Sequence, residues 1–206
     1  MRYSYSNLST AVKCPRQWAA IYRDRRFQRS PSPALERGNR VHKALENALL
    51  DGSDPGVWTP NGLLPVLRQC GARAEAEYCI DRNLQPCPKS SPNALLLGFI
   101  DVEVDDDRQS LLLDWKTGKF YPDSLQADVY AVLKRAQWGD PSRPVEFCWV
   151  YVDQKLTHVE EPDERAQDRV LSLIEWCESA TGEQPPKPSP LCRFCPVQDC
   201  EYYQGG

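Results

Sequence analysis

Two apolar runs constrain this chain most: "ALLLGFIDVEV" (residues 94–104) and "SLLLDWKTG" (residues 110–118), parted by "DDDRQ". Each is rich in Leu, Ile, Val and aromatic residues, and the acidic interval between them suits a solvated hairpin turn. Asp105, Asp106 and Asp107 are therefore read as turn residues, not as ligands. A hairpin needs more sheet and covering helices to be stable, and the flanking sequence provides them. "DSLQADVYAVLKRAQWG" reads as a helix capped by Asp123 or Ser124. "PVEFCWVYVD" and "KLTHVEE" read as further strands, and "DERAQDRVLSLIEWCESATG" as a closing helix.

Upstream, "SYSNLSTAVKCPRQWAAIYRDRR" reads as a helix capped by Ser6 or Ser9. A break at Ser30 to Pro33 follows. "ALERGNRVHKALENALLDG" is a strong helix with an apolar stripe of Val41, Leu45, Ala48 and Leu49 and a stop at Gly52. "LLPVLRQCGARAEAEYCIDRN" reads as a third helical segment, with Gly71 as an interruption. The expected class is α/β: a small mixed β-sheet flanked by helices. The 206 residues suffice for one domain with a real core. It divides into an N-terminal helical region (1–93), a core (94–182) and a Cys-rich tail (183–206).

Within the hairpin the charges stand out. On the first strand, simple alternation puts Phe99, Asp101 and Glu103 on one face and Ile100, Val102 and Val104 on the other. On the second, Asp114 and Lys116 share a face, and Trp115 points away. In the obvious register Asp101 and Asp114 are neighbours. Two close carboxylates repel, and hard oxygen donors suit Mg²⁺ or Mn²⁺. Lys116 beside them could orient or deprotonate an attacking water, or steady a charged transition state. Alone, Asp-x-Lys reads rather as an exposed ion pair on a half-solvated sheet.

The combination is more specific. "GFID" (98–101), "LLLDWKTGK" (111–119) and "QADVY" (126–130), with "RGNRVHKALE" upstream, together resemble the PD-(D/E)XK nuclease superfamily. The resemblance is specifically to its RecB-like branch, which carries G-x-x-D, D-x-K and Q-x-x-x-Y in this order after a helical His. The resemblance implies a restriction-endonuclease-like core and Mg²⁺- or Mn²⁺-dependent hydrolysis of DNA. It makes Asp101, Asp114, His42 and the Trp115 carbonyl metal ligands and Lys116 the catalytic lysine. Gln126 and Tyr130, one helical turn apart, support the site or line the DNA path. Ahead of the sheet, Glu75 and Glu77 compete as a further acid.

Nine cysteines are many for such a chain. The sequence has no apolar h-region at its start and no run of the ~20 apolar residues that span a bilayer. A soluble cytoplasmic protein with no membrane partner is expected, and reduced, clustered cysteines then point to metal. Cys192, Cys195 and Cys200 have C-x2-C-x4-C spacing, and Cys14 is the leading fourth ligand. Zinc and a 4Fe–4S cluster both accept four thiolates. The resemblance favours the iron–sulfur cluster, because CRISPR-associated and AddB-type relatives hold one with a Cys before the core and three after it. The interval between the last two ligands is one residue shorter here. A cluster so placed would join the chain's ends. Most of the other five cysteines read as small buried hydrophobes.

A net charge of −4 argues against coating nucleic acid by bulk attraction. Local basic groups do occur: Arg23, Arg25, Arg26 and Arg29, then Arg37, Arg40 and Lys43. Interleaved Trp18, Tyr22 and Phe27 could stack on unpaired bases. The resemblance implies DNA as partner, single-stranded or with free ends, and an exonuclease working in recombination, phage DNA processing or CRISPR adaptation. A helicase, recombinase or CRISPR integrase would be a separate partner. The competing expectation is a catalytically degenerate DNA-binding or assembly module stapled by zinc or iron–sulfur.

Overall fold

The computed structural model describes residues 1–28 and 32–204. Arg29 and part of the Ser30–Pro33 break lie outside them. The sheet has five strands in sequence order: β1 (Arg73–Asp81), β2 (Ala94–Asp105), β3 (Ser110–Lys116), β4 (Val145–Tyr151) and β5 (Leu156–Glu160). It is mixed, as expected: β3 and β4 run parallel and the other pairs antiparallel. The β3–β4 crossover is helix α5 (Ser124–Trp138), since parallel neighbours need a long connection.

Helices cover both faces. One face packs on α5, α6 (Ala166–Ser179) and α1 (Tyr5–Lys13), through Ile80, Leu96, Ile100, Leu112, Phe147 and Trp149. The other packs on α3 (Pro33–Asp51) and α4 (Leu63–Gln69), through Val102, Leu113, Trp115 and Val150. The predicted stripe of α3 is buried, and Gly52 ends that helix in the left-handed conformation at φ 81.

Three expectations are corrected. The third helical segment is a short helix, α4, followed by strand β1. Ala and Glu favour helix in isolation, but the run Arg73–Asp81 pairs along β2 and follows its period. Residues 1–93 therefore contribute a strand to the sheet. The cap of α1 is Ser4, whose side chain accepts from Asn7 N; Ser9 is buried within the helix and contacts Asp123. At α5, Asp123 is the N-cap, as expected; its side chain makes no capping bond, and its carboxylate accepts from the Tyr5 hydroxyl at 2.8 Å.

The third correction concerns β2. Ile100 faces α5, whereas Val102 and Val104 face α3. Glu103 lies on the α5 side, where Lys134 of α5 reaches it at 3.1 Å. Their β1 partners match: Ala76 packs with Ile100's cluster and Ala74 with Val102's. Both strands thus switch faces at Glu75 and Asp101. Glu75 takes φ 51, a left-handed value that is rare for a side-chain-bearing residue inside a strand.

The end of the chain folds back onto its beginning. Helix α2 (Pro15–Trp18) continues as a π-helical turn (Ala19–Arg23). Arg16 N donates to Pro185 O at 3.2 Å, and Arg23 donates to Ala180 O and Gly182 O. Arg26 pairs with Asp199. These arginines hold the tail in place.

Candidate active site

The antiparallel ladder of β2 and β3 stops at Val102–Leu113. One step on, Asp101 and Asp114 would face each other. Instead the strands part, and Asp101 Oδ2 accepts the Trp115 backbone N–H at 2.8 Å. The Trp115 ring is 2% exposed in the α3-side core, as alternation predicts. Asp114 points to the α5 side, where Gln126 Nε2 donates to its Oδ1 at 2.5 Å. Gln126 is itself oriented, because its Oε1 accepts from Trp149 Nε1 at 3.1 Å. An amide so fixed can only present its NH₂ to Asp114.

Lys116 Nζ stands 2.6 Å from Asp114 Oδ2. The ammonium is therefore the partner of this buried oxygen. Burial raises the Asp114 pKa; the Lys116 charge opposes this and the Asp101 charge adds to it. The net direction is up, with burial the main cause.

From the opposite helix, His42 Nδ1 lies 3.2 Å from Asp101 Oδ2. Burial works to lower the His42 pKa, but the Asp101 hydrogen bond and charge outweigh it, and the net direction is up. Tyr130, a turn after Gln126, is 9% exposed with its ring 5.5 Å from that of Phe147. Burial raises its pKa, and the Asp114 and Asp101 charges add to this, so the hydroxyl senses both acids. Gly98 makes the close approach of α5 possible: a Cβ there would meet Leu133 at 2.5 Å and Tyr130 at 2.9 Å.

All seven residues named from the motifs thus converge where β2 and β3 part. Glu75 and Glu77 separate. Glu77 pairs with Lys89 at 2.7 Å, whereas Glu75 joins His42 and Asp101, with one ligand atom from each lying within 4.8 Å of the others. The loop after β3 is tied to α3 through Asp153, which accepts from Gly118 N at 2.7 Å and from both Arg37 terminal nitrogens.

The sequence profile of the PD-(D/E)XK nuclease superfamily matches residues 2–85 and 68–200. The chain belongs to this superfamily. Among solved structures, this PD-(D/E)XK chain is similar to the crystal structure of SSO0001, at 16% identity and a TM-score of 0.53. That alignment covers 99% of this chain and 88% of the other, and it speaks for the fold alone. No curated protein sequence matches. Membership of the superfamily points to a metal-dependent nuclease and to DNA as substrate. No helix among the described residues is long and apolar enough to cross a membrane.

Other sequence expectations resolve unevenly. Cys14, Cys192, Cys195 and Cys200 line one small pocket with Arg16, Lys187 and Tyr203. Burial raises the Cys195 pKa, and the Cys14, Cys192 and Cys200 thiols add to it. Of the remaining cysteines, Cys79 and Cys177 are buried and Cys70 is exposed. Cys79 and Cys87, far apart in ligand terms, bring their sulfurs to 3.6 Å. Trp18 is fully buried, donates to Asn7 Oδ1 at 2.8 Å and packs on Trp176, so it cannot stack on a base. Tyr22 and Phe27 do line an open groove, with Arg2 and Arg25. Arg23, Arg26, Arg37 and Lys43 are paired with acids.

Proposed function

We propose that this protein is a Mg²⁺- or Mn²⁺-dependent DNA exonuclease of RecB-like type, acting on single strands or free ends and stapled by a 4Fe–4S cluster. The observation that carries the reading is Asp114, buried between the oriented Gln126 amide and the Lys116 ammonium, one step from the Asp101–His42 pair. The donors fit a hard divalent cation: two carboxylates and an imidazole. Asp101, Asp114, His42 and the Trp115 carbonyl would hold it. When bound, the cation would offset the charge of a scissile phosphate.

The protein groups do the rest. Gln126 and Trp149 fix the plane of the Asp114 carboxylate. Lys116, at the rim of that carboxylate, orients the attacking water and neutralises charge that builds on the phosphate. Tyr130 and Gln126 present polar groups from one helix face toward both acids. His42 braces Asp101 from α3. A single strand entering along the N-terminal region would meet Tyr22, Phe27, Arg2 and Arg25, where aromatic faces suit unpaired bases.

The four thiols on one cavity support the cluster. None is in a disulfide, and backbone N–H groups of Lys187 and Ser189 point at Cys14 Sγ (3.5 Å) and Cys192 Sγ (3.3 Å). Such donors stabilise thiolate ligands. Anaerobic purification followed by metal and sulfide analysis should find iron and sulfide; zinc alone would replace the cluster reading with a zinc staple.

The deciding experiment is digestion of single- and double-stranded DNA, labelled at either end, with Mg²⁺, Mn²⁺ or EDTA. Cleavage should need the cation and vanish in Lys116→Ala and Asp114→Ala proteins that keep their circular dichroism. Full activity in both variants would overturn the site. Products released from internal positions of circular DNA would replace exonuclease with endonuclease.

A further inference from the structure

Two cysteines that no motif uses come together at the edge of the sheet. β1 is the outermost strand, and the chain leaving it turns straight back. Asp81 shapes the turn: its carboxylate accepts from Asn83 N at 2.8 Å and Gln85 N at 3.0 Å. The returning segment then lies antiparallel along the free edge of β1. Asp81 N donates to Gln85 O at 2.9 Å, Ile80 bridges Pro86, and Cys87 N donates to Cys79 O at 3.0 Å. Lys89 continues the same register and reaches Glu77 at 2.7 Å. Cys79 and Cys87 therefore stand opposite one another, and their sulfurs lie 3.6 Å apart. Facing residues of an antiparallel pair have the Cα separation that a disulfide spans.

The two thiols are not equivalent. Cys79 is buried and Cys87 is half-buried, so an oxidant in solution meets Cys87 first. Burial pushes the Cys79 thiol up to about 11, and Cys87 beside it adds to the shift; Cys79 keeps its proton until Cys87 has reacted. Pro86 and Pro88 flank Cys87 and have no backbone N–H to donate. Backbone pairing thus holds this segment to β1 only sparsely, and a covalent link would secure it.

We propose that Cys79 and Cys87 are a redox-modifiable site: a dithiol that small-molecule disulfides convert reversibly into an intramolecular disulfide, clipping residues 85–89 onto β1. Cys87, giving up its proton, attacks one sulfur of the oxidant RS–SR; that S–S bond breaks and one RSH leaves. Cys79 then attacks the Cys87 sulfur, passes its proton to the departing thiolate, and releases the second RSH. The protein loses two electrons and two protons, and the oxidant gains both. Because Cys87 is partly exposed, a dithiol reductant can run the same exchange backwards. The inference is independent of the nuclease reading and of the four clustered thiols.

The test is peptide mapping of the full chain, purified and handled anaerobically with its cysteine site loaded, after equilibration with oxidised and reduced glutathione. Trypsin cuts after Arg73, Arg82 and Lys89, so Cys79 falls on residues 74–82 and Cys87 on residues 83–89. Non-reducing mass spectrometry should find these two peptides joined, in a fraction that rises with oxidised glutathione and returns to zero with dithiothreitol. Cys79→Ser should trap the glutathione adduct on Cys87, and Cys87→Ser should leave Cys79 unmodified. By hydrogen exchange, the Cys87 amide should open roughly tenfold more slowly, or slower still, in the oxidised wild-type protein. Wild-type protein that accumulates the Cys87 adduct without the joined peptides, or that joins Cys79 to any other cysteine, overturns the proposal. Joined peptides with unchanged exchange at Cys87 would overturn the clip.

Discussion

Replacing Gly98 by alanine tests whether the motif glycine is there to let α5 touch the sheet. Gly98 has no left-handed backbone, so alanine is acceptable to its dihedrals. The obstacle is space. The new methyl would stand 2.5 Å from Leu133 Cδ1 and 2.9 Å and 3.2 Å from two Tyr130 ring carbons. Leu133 is fully buried and Tyr130 nearly so, and neither has open volume to move into. Overpacking of this kind costs about 1–3 kcal/mol, offset by about 0.4–1 kcal/mol from a stiffer unfolded chain. For a chain of this size each kcal/mol moves Tm by about 2–4 °C, so calorimetry should show a fall of several degrees. Cleavage should fall further than stability explains, because Tyr130 is displaced from the two acids. Leu133→Ala alone should cost about 2–5 kcal/mol. Combined with Gly98→Ala it makes room for the methyl, and the pair should cost about 0.5–3 kcal/mol less than the sum. An additive cycle, or an unchanged Tm in Gly98→Ala, would refute the packing argument.

Three further outcomes are expected. Lys134 is buried with its ammonium 3.1 Å from Glu103, 2.6 Å from Asp105 and 3.2 Å from the Tyr78 hydroxyl; Lys134→Met should lower urea-measured stability by about 3–5 kcal/mol, as removal of one partner of a buried charge set does. Burial raises the Asp105 pKa, but hydrogen bonds from Lys134 and Ser110 outweigh it and the net direction is down. Its stabilising contribution is therefore full above its unfolded pKa of about 4 and is lost as pH falls through the lower folded value, so Asp105→Asn should flatten the acid limb of a Tm-versus-pH curve. Gln126→Leu leaves Asp114 Oδ1 and Trp149 Nε1 unpaired and should cost about 1–3 kcal/mol for each while suppressing cleavage.

Much of the fold could be read because its elements carry their own signals. Helix α3 shows its stripe and its glycine stop, and β2 and β3 are dense apolar runs around an acidic turn. Strand β1 hides because its outer half, Arg73 to Glu77, buries little. It owes its state to pairing with β2, a non-local cause that propensity cannot register. The arginines near the N-terminus are hard to read for a related reason. Sequence shows their charge but not that Asp24, Asp199 and the tail carbonyls are already waiting for them.

The site divides along the same line. His42, Asp101, Asp114, Lys116, Gln126 and Tyr130 are legible because motif spacing fixes which element each rides on. Glu75 and Glu77 are two steps apart in one alternating run and look equivalent. Uniform pleating would put them on the same face, as it would Asp101 and Glu103. The structure breaks that rule at one rung only, Glu75 with Asp101, and sends Glu103 to Lys134 while Asp101 goes to His42. A conflict between local preference and global fold is expected at functional sites, where strain persists only if the surroundings over-determine it. Here the over-determination can be named. The residues on either side of the rung pack into opposite cores, α5's for Ala76 and Ile100 and α3's for Ala74 and Val102. Relaxing Glu75 toward an ordinary strand would push one of those pairs into the wrong core. The apolar packing of two helices therefore holds the carboxylates together against their own repulsion, which is what the proposed metal site requires.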